Sequence, residues 1–207
     1  MLYTIGDSFT YGYELTLPKI HAWPVILANK LGYQLKNYGK PGVGNDYIIK
    51  TSMSSIIDKK PDLLIIAWTS ASRLEFHDEN GSHVTWPGHF RKSKLFPYRN
   101  QLTKYITAHN NELLEYHDWL YKVILLQNFL QIRKINYRFV NTFDNQIKNQ
   151  KYLERNKYLV DEIDLTKFIG WPNNGLVEWS YMYSKAPGGH PLEEGHAAIA
   201  DTIFSAL

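Results

Sequence analysis

The chain has 207 residues, of which 44% are hydrophobic and 21% charged. This length and composition suit one globular domain with a sizeable core, so we expect a single domain over residues 1–207. The formal net charge is only +3, and the basic residues are scattered apart from short clusters at residues 91–94 and 148–157. We therefore expect no nucleic-acid partner. There is no cysteine, which excludes disulfides, cysteine-based zinc sites and a thiol nucleophile.

The sequence predicts neither export nor membrane insertion. The first apolar segment begins at Met1 without a charged leader, and the longest apolar runs, such as residues 63–68, are far shorter than a membrane span. We expect a cytoplasmic or virion-associated protein with no membrane partner.

A serine follows the first predicted strand, which covers residues 1–5. Gly6 permits a sharp exit from this strand, and Gly12 relaxes the backbone four residues after Ser8. Ser8 is therefore predicted on a strand-to-helix turn with an exposed hydroxyl, the geometry of a nucleophile. The spacing is not Gly-x-Ser-x-Gly, because the second glycine comes two residues later. An ordinary polar turn is the alternative, since Gly, Asp and Ser are common in turns.

The next segment alternates helix and strand. We predict a helix over residues 22–31 that ends at Gly32, a short strand over 33–38, and a helix over about 46–58. The glycine-containing loop at 39–45 should expose backbone N–H groups at the start of the second helix. A phosphate-binding loop is the competing interpretation, but no Gly-Lys-Ser/Thr sequence follows.

The clearest strand lies at residues 63–68, which are apolar at every position, as in a central strand covered on both faces. Its carboxyl end leads to Thr69 and Ser70. Open α/β sheets place their functional sites at the carboxyl ends of their strands. Capping of a helix by either hydroxyl is the alternative.

No periodicity continues from about residue 71 to 100, and we expect a long irregular insertion there that suits a lid. His77, His83 and His89 lie in it at six-residue steps, which match no standard zinc pattern, so we expect no metal site. Four aromatic residues would either line a substrate groove or hold the loop against the body: Trp86, Phe90, Phe96 and Tyr98.

The second half of the chain predicts further helices and one more strand. A helical pattern covers residues 102–135, with a break expected near 108–111, and residues 135–141 predict a fourth strand. Residues 144–160 are polar and helical at best, and residues 168–183 have no assignable pattern. A tight loop then precedes a terminal helix. Short strands alternating with helices predict a three-layer, mostly parallel α/β domain.

A serine nucleophile needs a base within hydrogen-bonding reach. His190 is the best candidate among the eight histidines because it lies on a Gly-Gly-His-Pro loop just before the last helix. The glycines let this loop approach the edge of the sheet, and Pro191 suits the first helical turn. His196, which lies inside the helical pattern, is the alternative base.

An ester-cleaving serine also needs preorganised donors for the oxyanion of its tetrahedral intermediate. The candidates are the N–H groups of Ser8 and Gly42 and a hydroxyl from Thr69 or Ser70.

These blocks, taken in order, resemble those of the SGNH hydrolases, the GDSL-type esterases. They are Gly6-Asp7-Ser8 after the first strand, Asn37-x4-Gly42 after the second, a polar turn after the third, and His190-Pro191 before the last helix. The resemblance extends over the whole chain. It implies a three-layer α/β/α sandwich of flavodoxin-like type, with Ser8 as nucleophile, Gly42 as oxyanion donor and His190 as base. It also implies no cofactor and no metal, and a small-molecule or carbohydrate ester as substrate, with carbohydrate deacetylation fitting the family best.

Two positions depart from the family pattern. The third block is usually Gly-x-Asn-Asp, whose Asn is an oxyanion donor, whereas here the strand ends in Ala67-Trp68-Thr69-Ser70. The third donor is therefore a hydroxyl or absent. The family also places an Asp three residues before the histidine, where this chain has Pro187.

Without that Asp, another group must hold the imidazole. We predict that Nδ1 of His190 donates to a main-chain carbonyl of residues 185–188, which would make a Ser-His dyad. Glu193 and Glu194 are the alternative acceptors.

Two other functions stay open. The same residues would also support acyl transfer to a sugar. The departures also allow a carbohydrate-binding or structural protein, for example of a virion, that keeps the fold without the chemistry. The sequence does not predict the oligomeric state.

Overall fold

The computed structural model describes residues 1–57, 59–79, 81–89, 99–144, 149–172 and 174–207. The described elements follow one another as β1 (Leu2–Ile5), α1 (Ser8–Tyr11), α2 (Pro18–His21), α3 (Trp23–Leu31), β2 (Leu35–Asn37), α4 (Asn45–Ser55), β3 (Leu63–Trp68), β4 (Leu74–Asp78), β5 (Gly81–Thr85), α5 (Arg99–Ala108), α6 (Glu112–Ile132), β6 (Tyr137–Asn141), α7 (Gln150–Arg155), α8 (Lys157–Val160), a 3₁₀ turn (Leu165–Lys167), α9 (Leu176–Trp179) and α10 (Glu193–Ser205).

A parallel sheet of four strands, in the order β2-β1-β3-β6, forms the middle layer. Tyr3 of β1 lies opposite Leu64 of β3, and Ile66 of β3 lies opposite Phe139 of β6. Because all these pairs are parallel, the carboxyl ends of the strands meet at one edge of the sheet. The loops that follow β1, β2 and β3 therefore start close together.

Helices cover both faces of this sheet. Alternate residues of the fully buried strand β3 belong to two separate apolar clusters. Leu64, Ile66 and Trp68 pack in the cluster that contains residues of α4 and α6. Leu63, Ile65 and Ala67 pack in the cluster that contains residues of α3 and α10. The molecule is thus the three-layer α/β/α sandwich that its alternating pattern predicts, and burial on both faces explains why β3 is apolar throughout.

The long helical pattern divides where the sequence predicts a break. Helix α5 ends at Ala108, and Asn111 begins α6 by accepting a hydrogen bond from the Leu114 N–H at 3.2 Å. Helix α6 has 21 residues. In the part of the chain that the structure describes, no helix is both long and apolar enough to span a bilayer.

The segment predicted to be irregular contains an antiparallel hairpin instead. Strands β4 and β5 pair with Leu74 opposite Thr85 and Phe76 opposite His83. The periodicity argument missed this hairpin, although Asn80-Gly81 is a common turn-forming pair in sequences. Phe90, Phe96, Tyr98 and the basic cluster at residues 91–94 lie outside the described residues.

The aromatic segment that had no assignable pattern extends the sheet edge next to β6. Phe168 forms a parallel bridge with Phe139, and the Ile169 N–H donates to the Phe139 carbonyl at 2.9 Å. Trp171 stacks on Trp119 of α6 with ring centroids 6.3 Å apart. The backbone path of this aromatic segment therefore depends on contacts with β6 and α6, which are distant in the sequence.

Candidate active site

Ser8 stands at the carboxyl end of β1 on a one-turn helix. Asp7 caps this helix, its Oδ1 accepting the Phe9 N–H at 3.0 Å. The helix ends at Gly12, whose φ of 81° lies in the left-handed region that favours glycine. A Cβ at Gly6 would overlap the Thr10 side chain, so the tight exit from β1 requires glycine there. Local sequence alone thus accounts for the placement of Ser8.

The imidazole of His190 links Ser8 to a carboxylate. Its Nε2 lies 2.9 Å from the Ser8 Oγ, and its Nδ1 lies 2.6 Å from the Glu14 Oε2. A carboxylate only accepts, so we assign the imidazole proton to Nδ1, which leaves Nε2 free to accept the serine proton. The hydrogen bond from His190 holds the pKa of Glu14 below its ordinary value.

Glu14 overturns the predicted dyad. The acceptor for Nδ1 is neither a carbonyl of residues 185–188 nor one of Glu193 and Glu194, which lie in the first turn of α10. Glu14 reaches His190 because the chain turns sharply after α1, with φ of 70° at Glu14 itself. Its side chain also accepts the Gly188 N–H at 3.0 Å, which joins the two loops. The two partners are 176 residues apart, and no sequence spacing indicates the pairing.

The loop around His190 is held on several sides. The Ala186 N–H donates to the His190 carbonyl at 2.9 Å, and the Leu192 N–H donates to the Ser184 carbonyl at 3.1 Å. The rings of Phe9 and Tyr13 lie 5.4 and 5.2 Å from the imidazole. Together with the hydrogen bond to Glu14, these contacts restrain the loop and the imidazole ring.

The alternative base, His196, lies in the core. It is fully buried in α10, and its Nδ1 accepts the Trp23 N–H at 3.2 Å. Burial lowers the pKa of His196 to about 4, so the ring is neutral at pH 7. It does not line the cavity that contains Ser8.

A cavity of about 540 Å³ opens beside Ser8 and His190. Aromatic and cationic side chains dominate its wall. Besides the serine and histidine, the lining residues include Phe9, Tyr13, Pro41, Gly42, Arg73, Trp86, Phe143, Val177 and Lys185.

Two residues that line this cavity, Ser8 and Gly42, have backbone N–H groups to consider as donors. Gly42 lines the cavity with a φ of 74°. Among the described residues, no acceptor is found for the N–H of Ser8 or of Gly42. Unpaired N–H groups at a cavity suit an anionic ligand.

Thr69 and Ser70, predicted as hydroxyl donors, do not line this cavity. The Thr69 hydroxyl donates to the Asp7 Oδ2 at 2.7 Å, and the Ser70 and Ser72 hydroxyls are 2.8 Å apart. The Asn45 amide holds this turn through the main chain of Thr69 at 3.1 and 3.2 Å. The end of β3 therefore supports the floor of the site and presents no hydroxyl to it.

Arg73 occupies the wall of the cavity instead, a position that sequence reasoning did not single out. Its Nη1 donates to the Val43 carbonyl at 2.8 Å and lies 3.5 Å from the Asp7 Oδ2. The guanidinium also lies 5.2 Å from the Trp86 ring and 5.3 Å from the Phe143 ring. Burial lowers the pKa of Arg73, and the Asp7 carboxylate opposes that effect.

The three-layer fold is SGNH-hydrolase-like, and comparison with solved structures supports this fold. A member of the lipolytic G-D-S-L family from Veillonella parvula is 16% identical, with a TM-score of 0.55 over 99% of this chain and 96% of that one. TesA is 11% identical, with a TM-score of 0.60 over 100% and 97%. A carbohydrate esterase family 2 enzyme with a carbohydrate-binding domain, from Corynascus thermopiles (Myceliophthora fergusii), is 14% identical, with a TM-score of 0.56 over 99% and 64%.

At these identities the likeness shows the fold, which is that of the SGNH hydrolases. The chain belongs to DUF6071, a family of unknown function, whose model matches residues 13–206. The matched segment includes Glu14 and His190 and begins after Ser8. No curated protein matches the sequence.

Proposed function

We propose that the protein is a serine hydrolase that cleaves small acyl esters, with Ser8 as nucleophile, His190 as base and Glu14 as the carboxylate that orients the base. One observation carries the proposal. Two hydrogen bonds, of 2.9 and 2.6 Å, connect the serine hydroxyl through both imidazole nitrogens to the carboxylate. Three side chains with these roles in this order are the arrangement by which a serine is activated.

In the first half of the reaction, the Ser8 Oγ attacks the ester carbonyl while its proton passes to the His190 Nε2. The imidazolium that results is stabilised by Glu14, which accepts the Nδ1 proton. The tetrahedral intermediate then expels the alcohol, which takes the proton from Nε2. An acyl-serine remains.

In the second half, water attacks the acyl-serine and gives its proton to Nε2. Collapse of the second tetrahedral intermediate releases the carboxylic acid and returns the proton to the Ser8 Oγ. One ester and one water thus yield one acid and one alcohol. In both halves, negative charge develops on the carbonyl oxygen, and we propose the N–H groups of Ser8 and Gly42, two residues that line the cavity, as its donors.

For the substrate we propose an O-acetyl group on a carbohydrate. The cavity of about 540 Å³ has room for a sugar ring, and its lining includes the aromatic side chains of Phe9, Tyr13, Trp86 and Phe143. The structure of similar fold from Corynascus thermopiles is that of a carbohydrate esterase. The Glu14 carboxylate 2.6 Å from the His190 Nδ1 supports an active site over a fold whose chemistry has lapsed, because joining the two loops through the Gly188 N–H does not require the serine on the other side of the ring.

The direct test is hydrolysis of p-nitrophenyl acetate by the wild type, Ser8→Ala and His190→Ala. Nucleophile and base act as one unit, so each variant should lose about 10⁴-fold or more in turnover, and the two losses should not add. A Ser8→Ala variant within about tenfold of the wild type would refute the assignment. Parallel assays on acetylated xylan with and without a sugar acceptor would separate hydrolysis from acyl transfer, since transfer yields a new ester rather than free acetate.

A further inference from the structure

Arg73 is a buried cation in the wall of the cavity, and the reaction steps above do not use it. Its side chain is only 11% exposed, and burying a guanidinium is costly unless its donors are satisfied. Both of its polar contacts involve Nη1. In the part of the chain that the structure describes, Nε and Nη2 have no acceptor. Although Asp7 balances the charge of the guanidinium, these N–H donors remain available to a ligand atom on which negative charge develops.

Both contacts of Nη1 are with residues adjacent in the sequence to Ser8 and Gly42. Val43, whose carbonyl it binds at 2.8 Å, follows Gly42, and Asp7, whose carboxylate lies at 3.5 Å, precedes Ser8. The guanidinium thus connects the loop after β1 with the loop after β2. Ser8, Gly42 and Arg73 line the same cavity.

Other side chains are less suited to act as the third donor. The hydroxyls of Thr69 and Ser70 are engaged away from the cavity. The Lys185 ammonium lies 4.7 Å from the ring of Tyr181, which does not line the cavity. Of the cavity's described cationic side chains, Arg73 is the one that contacts residues next to both backbone donors.

We propose that Arg73 is a catalytic residue, the third donor of the oxyanion hole, in the place where a side-chain amide would otherwise act. This inference rests on the proposed function. The guanidinium would bind the carbonyl oxygen more strongly as negative charge develops on it, so its contribution belongs to the transition state rather than to substrate binding. Its packing on Trp86 and Phe143 holds it in place before the reaction.

A purely structural role is the competing explanation, because Arg73 also neutralises the buried Asp7. The two roles differ in a double variant. Arg73→Met leaves Asp7 without its cation and should lower stability in either case. Adding Asp7→Asn removes the orphaned charge while keeping the oxygen that caps α1 through the Phe9 N–H.

The experiment compares the wild type, Asp7→Asn, Arg73→Met and the double variant on p-nitrophenyl acetate, a substrate without charge. We expect Arg73→Met to lower kcat by about 10²–10³-fold with KM changed less than about threefold. The double variant should be more thermally stable than Arg73→Met alone. Its kcat should still be lower than that of Asp7→Asn by about the same 10²–10³-fold. Recovery of kcat to the level of Asp7→Asn would assign Arg73 a structural role and overturn the proposal.

A second readout is the inhibition constant of trifluoroacetone, which forms a hemiketal oxyanion on an active serine. It should rise in the double variant by about the same factor as kcat falls, and an unchanged constant would contradict an oxyanion donor. If the wild type neither hydrolyses the ester nor binds the ketone, the proposed function itself fails. If it does both and the double variant matches Asp7→Asn, only the role of Arg73 fails.

Discussion

Glu14 accepts two hydrogen bonds, one from the His190 imidazole and one from the Gly188 N–H, at 2.6 and 3.0 Å. It does so from a left-handed backbone conformation, φ of 70°, that costs a non-glycine residue about 1–2 kcal/mol. Strain of this kind persists where surrounding contacts fix it, and it is often found at functional sites. The position therefore suits a carboxylate held in place for its effect on His190.

We predict that Glu14→Gln lowers kcat/KM for p-nitrophenyl acetate by roughly 10³–10⁴-fold. Glutamine keeps the shape, but its amide can donate to Nδ1, which places the imidazole proton on Nε2 and leaves no base for Ser8. The matched control is Glu194→Gln, an exposed carboxylate in the first turn of α10. Equal activities of wild type and Glu14→Gln would mean that Ser8 and His190 act as a dyad and do not need the carboxylate.

Local sequence was enough to predict that Ser8, Gly42 and His190 lie near one another at the edge of the sheet. Their positions depend on short motifs at the ends of strands and at a helix start. Local sequence did not suffice for Glu14 and Arg73. Each acts through contacts between loops that are far apart in the chain, Glu14 with residue 190 and Arg73 with residues 7 and 43. The spacing of residues in the sequence does not predict contacts between loops that are so far apart.

The hairpin of β4 and β5 contacts the loop that leads from Gly42 into α4. Glu75, near the start of β4, accepts hydrogen bonds from the Gly44 N–H at 2.9 Å and from the Tyr47 N–H at 3.0 Å. Its carboxylate thereby accepts hydrogen bonds from N–H groups of the first turn of α4, which have no acceptor within the helix. Its negative charge also interacts favourably with the positive end of the helix dipole. Because Gly44 is two residues beyond Gly42, the hairpin restrains the loop that carries a backbone donor.

We predict that Glu75→Ala increases amide hydrogen exchange at Gly44 and Tyr47 and lowers kcat by about 10- to 100-fold through loss of positioning. KM should change little. Glu79→Ala, an exposed change on the same hairpin, is the control and should leave both quantities unaltered. Faster exchange with unchanged kcat would show that the hairpin does not position the loop.

Periodicity predicted the buried strands and the amphipathic helices, because their patterns reflect which face meets the core. Periodicity did not predict the hairpin of β4 and β5. Its alternation is weak, since within the described ranges strands β4 and β5 pair with each other alone and lie outside the central sheet.

On the scale of the whole molecule, His196 makes the stability of one helical layer, the one that contains α3 and α10, depend on pH. His196 belongs to α10 and is fully buried against α3, where its Nδ1 accepts the N–H of Trp23, the first residue of α3. Its pKa is lowered from 6.5 to about 4, chiefly by burial. As pH falls below 6.5, the unfolded chain takes up a proton at this position while the folded chain does not. The free energy of unfolding must therefore decrease toward pH 4.

We predict that this histidine contributes a loss of up to about 3 kcal/mol in unfolding free energy between pH 7 and pH 4. Urea denaturation at several pH values measures it. His196→Asn can keep an acceptor for the Trp23 N–H but does not titrate, so the stability difference between wild type and variant should shrink by that amount as pH falls. A difference independent of pH would contradict the neutral, buried state of His196.

The central claim is that Ser8 is a nucleophile activated by His190 and Glu14. Reaction with diisopropyl fluorophosphate, followed by mass spectrometry of the intact protein and its peptides, tests it most directly. The account predicts a single phosphoryl adduct on Ser8 of the wild type, none on Ser8→Ala, and strongly slowed labelling of His190→Ala and Glu14→Gln. An unlabelled wild type, or an adduct that persists in Ser8→Ala, would contradict it.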